Sequence, residues 1–201
     1  QPAILSWNLT RLAETLVRFV DPNKDRAIEL LTDTIQGIQT LYEAHWLSGM
    51  RSKIGLSTED SLDLKLINDL LLLMEEGNAD FTLVFPRLAQ ALRGDIDTVR
   101  NLFEEPDAFD IWAQRWRQRL KQDGIAAEAR AQAMNRINPI YIPRNHKVEE
   151  ALTAAVEQDD MMPFSQMLGI LSHPFEEVPE NQAYALPAPI SDLPYRTFCG
   201  T

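Results

Sequence analysis

The sequence predicts an all-α fold, and three observations predict it. Apolar residues recur at three- and four-residue steps through most of the 201 residues instead of alternating. Only eight glycines are spread over that length. Short polar side chains and prolines of the kind that open helices stand ahead of the apolar runs, as at Asp21-Pro22 and Ser57-Thr58-Glu59-Asp60. About eight helices are expected, followed by an extended proline-rich C-terminal tail.

The first helix spans about Pro2 to Val20, where Ile4, Leu5, Leu9, Leu12, Leu16, Val17 and Val20 make one stripe expected to be buried. Asp21 then reads as an N-cap with Pro22 at the first helical position, and the second helix runs through Ile28, Leu31, Ile35, Ile38 and Tyr42 to about Trp46, with Gly49 ending it. Arg51 to Leu56 reads as a loop. A third helix carries Leu62, Leu66, Ile67, Leu70, Leu73 and Met74, apolar nearly all round, and stops at Gly77 as a left-handed cap. That helix is expected to be central. Next come Phe81 to Leu92, bent or split by Pro86, a short Asp95 to Glu104 helix, and a longer one from about Asp107 to Gln122 that stops at Gly124. Ala126 to Ile137 is helical until Asn138-Pro139 breaks it. Helices from about Asn145 to Gln158 and Pro163 to Leu171 complete the set.

From His173 onward the texture changes, with Pro174, Pro179, Pro187, Pro189 and Pro194 and no helical period. Tyr184, Leu186, Ile190, Tyr195 and Phe198 are too apolar for a disordered segment and predict a tail lying against the helices. The expected division is a helical domain over 1–172 and a packed tail over 173–201.

Composition narrows the function. Hydrophobic residues make up 45% and charged ones 24%, enough for one large helical domain or two small ones. Nineteen Lys and Arg against thirty Asp and Glu give a net charge of -11, which repels a phosphate backbone and argues against nucleic acid. The lone Cys199 excludes an internal disulfide and a Cys-rich zinc site. The most apolar run, Leu70 to Met74, lies between Asp69 and Glu75, far short of the roughly 20 residues of a membrane helix. No signal peptide opens the sequence, and Gln1 in place of Met reads as the start of a fragment or processed product.

Candidate motifs mostly resolve into structure. Asp21 to Asp25 opens like a calcium loop, but Arg26 stands where a turn glycine is needed and Thr32 where a bidentate Glu should close the site. His45, His146 and His173 lie on separate segments without HExxH spacing and read as surface or capping residues. Trp112 and Trp116 share a helix face with Leu120 and read as core, while Arg115 and Arg119 read as a neighbouring solvated row. Asp159-Asp160 reads as a turn between helices with an N-cap. The glycines, at 37, 49, 55, 77, 94, 124, 169 and 200, allow no phosphate loop.

Gln1-Pro2, Trp7-Asn8-Leu9 and Arg11-Leu12-Ala13-Glu14, then Asn138-Pro139, Arg144-Asn145-His146 with Glu149-Glu150-Ala151, and finally Thr197-Phe198-Cys199-Gly200-Thr201 carry a further signal. In order and spacing the chain resembles the C-terminal part of the selenoprotein O family. These are kinase-like proteins, long called pseudokinases, that transfer AMP from ATP to protein hydroxyl groups. The resemblance implies a C-terminal portion of a kinase-like fold, with ATP and Mg (or Mn) as cofactors of the parent protein. It also implies that the ATP-gripping and metal-binding residues precede Gln1, so that no catalytic, cofactor or metal residue falls in this chain.

The implied partners are the upstream kinase-like domain and protein substrates, with no nucleic acid and no membrane. The implied location is cytoplasmic in bacteria and mitochondrial in eukaryotes. Trp7, Asn8, Arg144 and Asn145 are family-typical. For the last two the local chemistry offers a structural role: Asn145 as a helix cap, Arg144 as a ligand of carbonyls or a carboxylate. Cys199 is third from the end, where animal members carry selenocysteine and many bacterial members cysteine, which implies a redox role. The alternative reading is a noncatalytic helical domain that binds a protein partner.

Overall fold

A computed structural model describes residues 2–189. Gln1 and residues 190–201 lie outside the described residues, and with them Ile190, Tyr195, Phe198 and the redox candidate Cys199. Among the described residues there are ten α-helical segments, one 3-10 turn and no strand, so the chain is all-α. It forms two compact units, residues 1–50 and 51–201.

The first unit holds α1 (Pro2–Val20) and most of α2 (Lys24–Lys53). Asn23 caps α2 here, not Asp21: its Oδ1 accepts from the Asp25 and Arg26 amides at 3.0 and 3.2 Å. Asp21 instead closes an Asx turn onto the Asn23 amide at 2.7 Å. The helix also runs straight past Gly49 to Lys53, because the turn is made by Gly55, whose φ of 79° suits glycine and where a Cβ would meet Met134 Sδ at 2.7 Å.

The expected burial of the α1 stripe is not observed. Ile4, Leu5, Leu12, Leu16 and Val20 are exposed, Leu9 and Val17 half-buried, and Trp7 and Phe19 join them at the surface. Among the described residues of this unit only Ala13, Ala27 and Met50 are buried. Two helices cannot wrap an apolar face that extends around so much of each of them; covering it takes a further layer.

In the second unit α3 (Asp63–Glu76) packs on α6 (Pro106–Lys121), and α4 (Phe81–Ala91) packs on α5 (Asp97–Arg100) and α7 (Ala127–Asn135). α8 (Asn145–Gln158) pairs with α9 (Met162–Leu171). The core is an aromatic ladder. Phe103 stacks on Phe109 at 4.7 Å, Phe109 leans on Trp112 at 5.8 Å, and Trp112 stacks on Trp116 at 5.6 Å. Both indoles are fully buried and spend their N–H groups on backbone carbonyls, Trp112 on Leu66 at 2.9 Å and Trp116 on Ile54 at 2.8 Å. These bonds join α6 to α3 and to the turn that follows α2, and make α3 as central as its sequence suggests.

Three local expectations change. α3 ends at Glu76, but Gly77 has φ -95°; the left-handed position is Asn78, at 48°. α8 starts at Asn145 with Arg144 as the N-cap residue, so Asn145 does not cap it. Arg119 is buried, not solvated. The tail is partly folded: Pro179–Asn181 makes a 3-10 turn and α10 (Gln182–Ala185) a single helical turn. It lies on a small second core in which Ala185 and half-buried Tyr184 meet Leu83, Ile140, Tyr141 and Ile170. Pro174 O accepts from the Ile140 and Tyr141 amides, while the Tyr141 hydroxyl donates to Val178 O and accepts from Val178 N. Leu186, expected to dock, is exposed.

Candidate functional site

The residues expected to be family-typical divide between the two units. Trp7 and Asn8 sit exposed on α1, with the Arg11 guanidinium 5.7 Å from the Trp7 ring centre. Arg144 stands in the second unit, in the extended segment before α8. Its two terminal nitrogens donate to Asp80 at 2.6 and 2.9 Å, and one also reaches Ala185 O at 2.6 Å. Its buried Nε has no hydrogen-bond partner among the described residues. Asp80 also caps α4 by accepting from the Leu83 amide at 2.9 Å. Burial alone would raise the Asp80 pKa, but Arg144 and the capping amides overcome that and hold it below the ordinary carboxylate value. One arginine thus ties α4, the start of α8 and the tail together, the carbonyl-and-carboxylate role its chemistry suggested. Asn145 is exposed beside it.

A larger ion network lies between α3, α6 and α7, and sequence reasoning missed it. The fully buried Asp63 accepts from Arg51 and Arg119, each at 2.8 Å. The buried Asp123 carboxylate accepts from Arg119 at 2.8 Å and Arg130 at 3.1 Å, and also from the Ser57 amide and the Thr58 hydroxyl. Arg130 closes the ring onto Gly55 O and Leu120 O. Burial opposes ionisation of both acids, but the donors win and hold both pKa values below the usual carboxylate range, Asp123 furthest. The signal for Arg119 was present: it lies seven residues after Trp112 and three after Trp116, on the buried face.

These carboxylates do not fit a magnesium triphosphate. Each is already neutralised by two arginines, and among the described residues no group of three or more His, Cys, Asp or Glu is placed to hold a metal ion. The cavity of about 400 Å³ beside the network offers a triphosphate no spare cation: Lys65 and Arg115 are held by Asp69, and Arg119 by Asp63. No described helix is long and apolar enough to cross a membrane.

A third cluster surrounds Lys53. Its Nζ donates to Asn138 Oδ1 at 3.2 Å and stands 5.0 Å over the Phe85 ring, while Asn138 Nδ2 donates back to Lys53 O at 2.8 Å. Asn138 is buried, and Asn138-Pro139 is one of the motifs that carry the family resemblance.

Comparison with known proteins agrees with that resemblance. The family model for "Protein adenylyltransferase SelO" matches residues 1–172. The chain is 48% identical over 203 residues to the protein nucleotidyltransferase YdiU of Rhizobium meliloti (strain 1021), 44% over 201 residues to that of Agrobacterium fabrum, and 45% over 203 residues to that of Rhodopseudomonas palustris (strain BisB5). Each match covers all of this chain and 41% of the relative. With the family model spanning most of the chain and these identities spanning all of it, the chain belongs to the SelO family of protein adenylyltransferases.

Proposed function

We propose that this chain is the helical supporting part of an enzyme that moves AMP from ATP to serine, threonine or tyrosine hydroxyls of proteins. The observation that carries the reading is the uncovered apolar face of the first unit. Leu12, Leu16, Phe19 and Leu41 are 53%, 39%, 71% and 60% exposed, and relatives are more than twice as long as the match. A face of this kind marks an interaction surface, and the remaining length of such a protein supplies its cover: a kinase-like domain that brings the ATP, the Mg or Mn, and the transfer chemistry. The second unit, locked by its buried ion network and aromatic ladder, gives that domain a rigid support.

Cys199, outside the described residues, is the candidate redox handle of the same enzyme, at the position where the family resemblance implies a redox role; a thiol attacks a partner as the thiolate. The test uses the full-length protein and ATP labelled at the α-phosphate. Labelled AMP should appear on protein hydroxyls, and Leu12→Glu with Leu16→Glu should lower the transfer by at least tenfold. Unaltered transfer in the double variant contradicts the proposed cover.

A further inference from the structure

We propose that the pocket between the end of α2, the start of α4 and Asn138-Pro139 binds a carboxylate carried on a small apolar stem, with Lys53 as its counter-ion. The proposal is independent of the adenylyltransfer reading.

The first ground is an unmet charge. Lys53 is half-buried, yet among the described residues no carboxylate lies within ion-pair distance of it. An ammonium has three donors, and the hydrogen-bond acceptor the fold provides is the Asn138 amide oxygen. That oxygen is fixed, because the other end of the amide is held by Lys53's own carbonyl. Burial without a counter-charge lowers the Lys53 pKa, in keeping with a site that lacks its anion.

The second ground is the shape and lining of the space beside it. The cavity holds about 120 Å³ and is walled by Phe81, Phe85, Pro139 and Ile142, with the Thr82 hydroxyl and the Asn138 amide as its other polar groups. A mostly apolar pocket with a few convergent polar groups is the usual form of a small-ligand site. Lys53 is the single charged residue of the lining. One ammonium balances one negative charge, so a carboxylate fits where a phosphate dianion would be left half-neutralised among apolar walls. The apolar walls take the stem.

Such a carboxylate could belong to a free organic acid or to a glutamate on a polypeptide. Two probes separate the sources: benzoate, and an acetylated and amidated leucine-glutamate-leucine tripeptide. Binding is read on the full 201-residue chain by NMR, from the Lys53 ε-methylene and the Phe81 and Phe85 rings, with benzamide and inorganic phosphate as controls. Saturable shifts are expected with benzoate, the tripeptide or both, and at least tenfold weaker binding in Lys53→Met. Asn138→Asp, which places a carboxylate beside the ammonium from within, should abolish binding, although it also gives up the Nδ2 donor to Lys53 O.

A response to benzoate alone identifies a small organic acid, and a response to the tripeptide identifies a polypeptide. Equal binding of benzamide, tighter binding of phosphate, undiminished binding in either variant, or no saturation by about 50 mM, beyond the millimolar range of a ligand this small, overturns the proposal.

Discussion

Arg144 grips Asp80 through both terminal guanidinium nitrogens, at 2.6 and 2.9 Å, and the same aspartate caps α4. Two residues 64 apart in sequence thereby fix where α8 begins relative to α4. The pair is largely buried, with side chains 10% and 16% exposed. Removing one member leaves the other charged and poorly solvated. Arg144→Ala should cost about 2–4 kcal/mol of unfolding free energy, and Arg144→Lys, which cannot make the two parallel bonds, about half that. Chemical denaturation of the three proteins measures both.

The buried acids make stability fall in acid. Asp63, Asp80 and Asp123 all have folded-state pKa values below the unfolded carboxylate value of about 3.9. Their contribution is complete above about pH 5 and is lost as pH falls through 4 toward the folded values. Thermal midpoints should be flat from neutrality to about pH 5 and drop steeply below 4. Asp123→Asn should lose about 3 kcal/mol at pH 7 by leaving Arg119 and Arg130 undercompensated, and should show a shallower acid slope. An acid slope equal to that of the unaltered chain would remove Asp123 from this explanation.

Gly55 turns the chain after α2 at a φ of 79°, with Met134 and Arg130 packed where a side chain would start. Gly55→Ala adds backbone strain and a close contact together and should destabilise by about 2 kcal/mol or more, whereas Gly37→Ala, mid-helix with open space around it, should be neutral or slightly stabilising. A comparison of their melting temperatures checks the contrast.

Deleting residues 173–201 should lower the thermal midpoint. It exposes Tyr141 and Ile140, which are 2% and 3% exposed in the folded chain, and strips the Tyr141 hydroxyl of both its Val178 bonds. Each large apolar side chain uncovered costs about 1.5–3 kcal/mol. A midpoint unchanged by the deletion would make the tail a passenger.

The fold class and most helix spans were legible because a 3.6-residue period is written directly in the apolar positions, and α1 and α8 begin and end where it placed them. The punctuation was harder. Gly49 reads as a stop, yet a helix passes through a glycine when nothing else breaks it; α3 does stop before Gly77, but the left-handed residue there is Asn78. Arg119 reads as solvated when its charge is set above its place on the tryptophan face. Its carboxylate partner Asp63 lies 56 residues away, and long-range pairing leaves no periodic trace. The α1 stripe is apolar as its period shows, but periodicity does not say which partner covers it. At the candidate site the residue types of Arg144 pointed to a carboxylate or carbonyl ligand, while Lys53 gave no signal because only the fold brings it to Asn138.

Calorimetric titration of ATP and Mg into the 201-residue chain tests whether this part supports the transfer of AMP or performs it. No saturable heat is expected, because the buried carboxylates are neutralised by arginines and no described cluster holds a metal. Saturable, metal-dependent binding tighter than about 1 mM, some 4 kcal/mol, would contradict the supporting role.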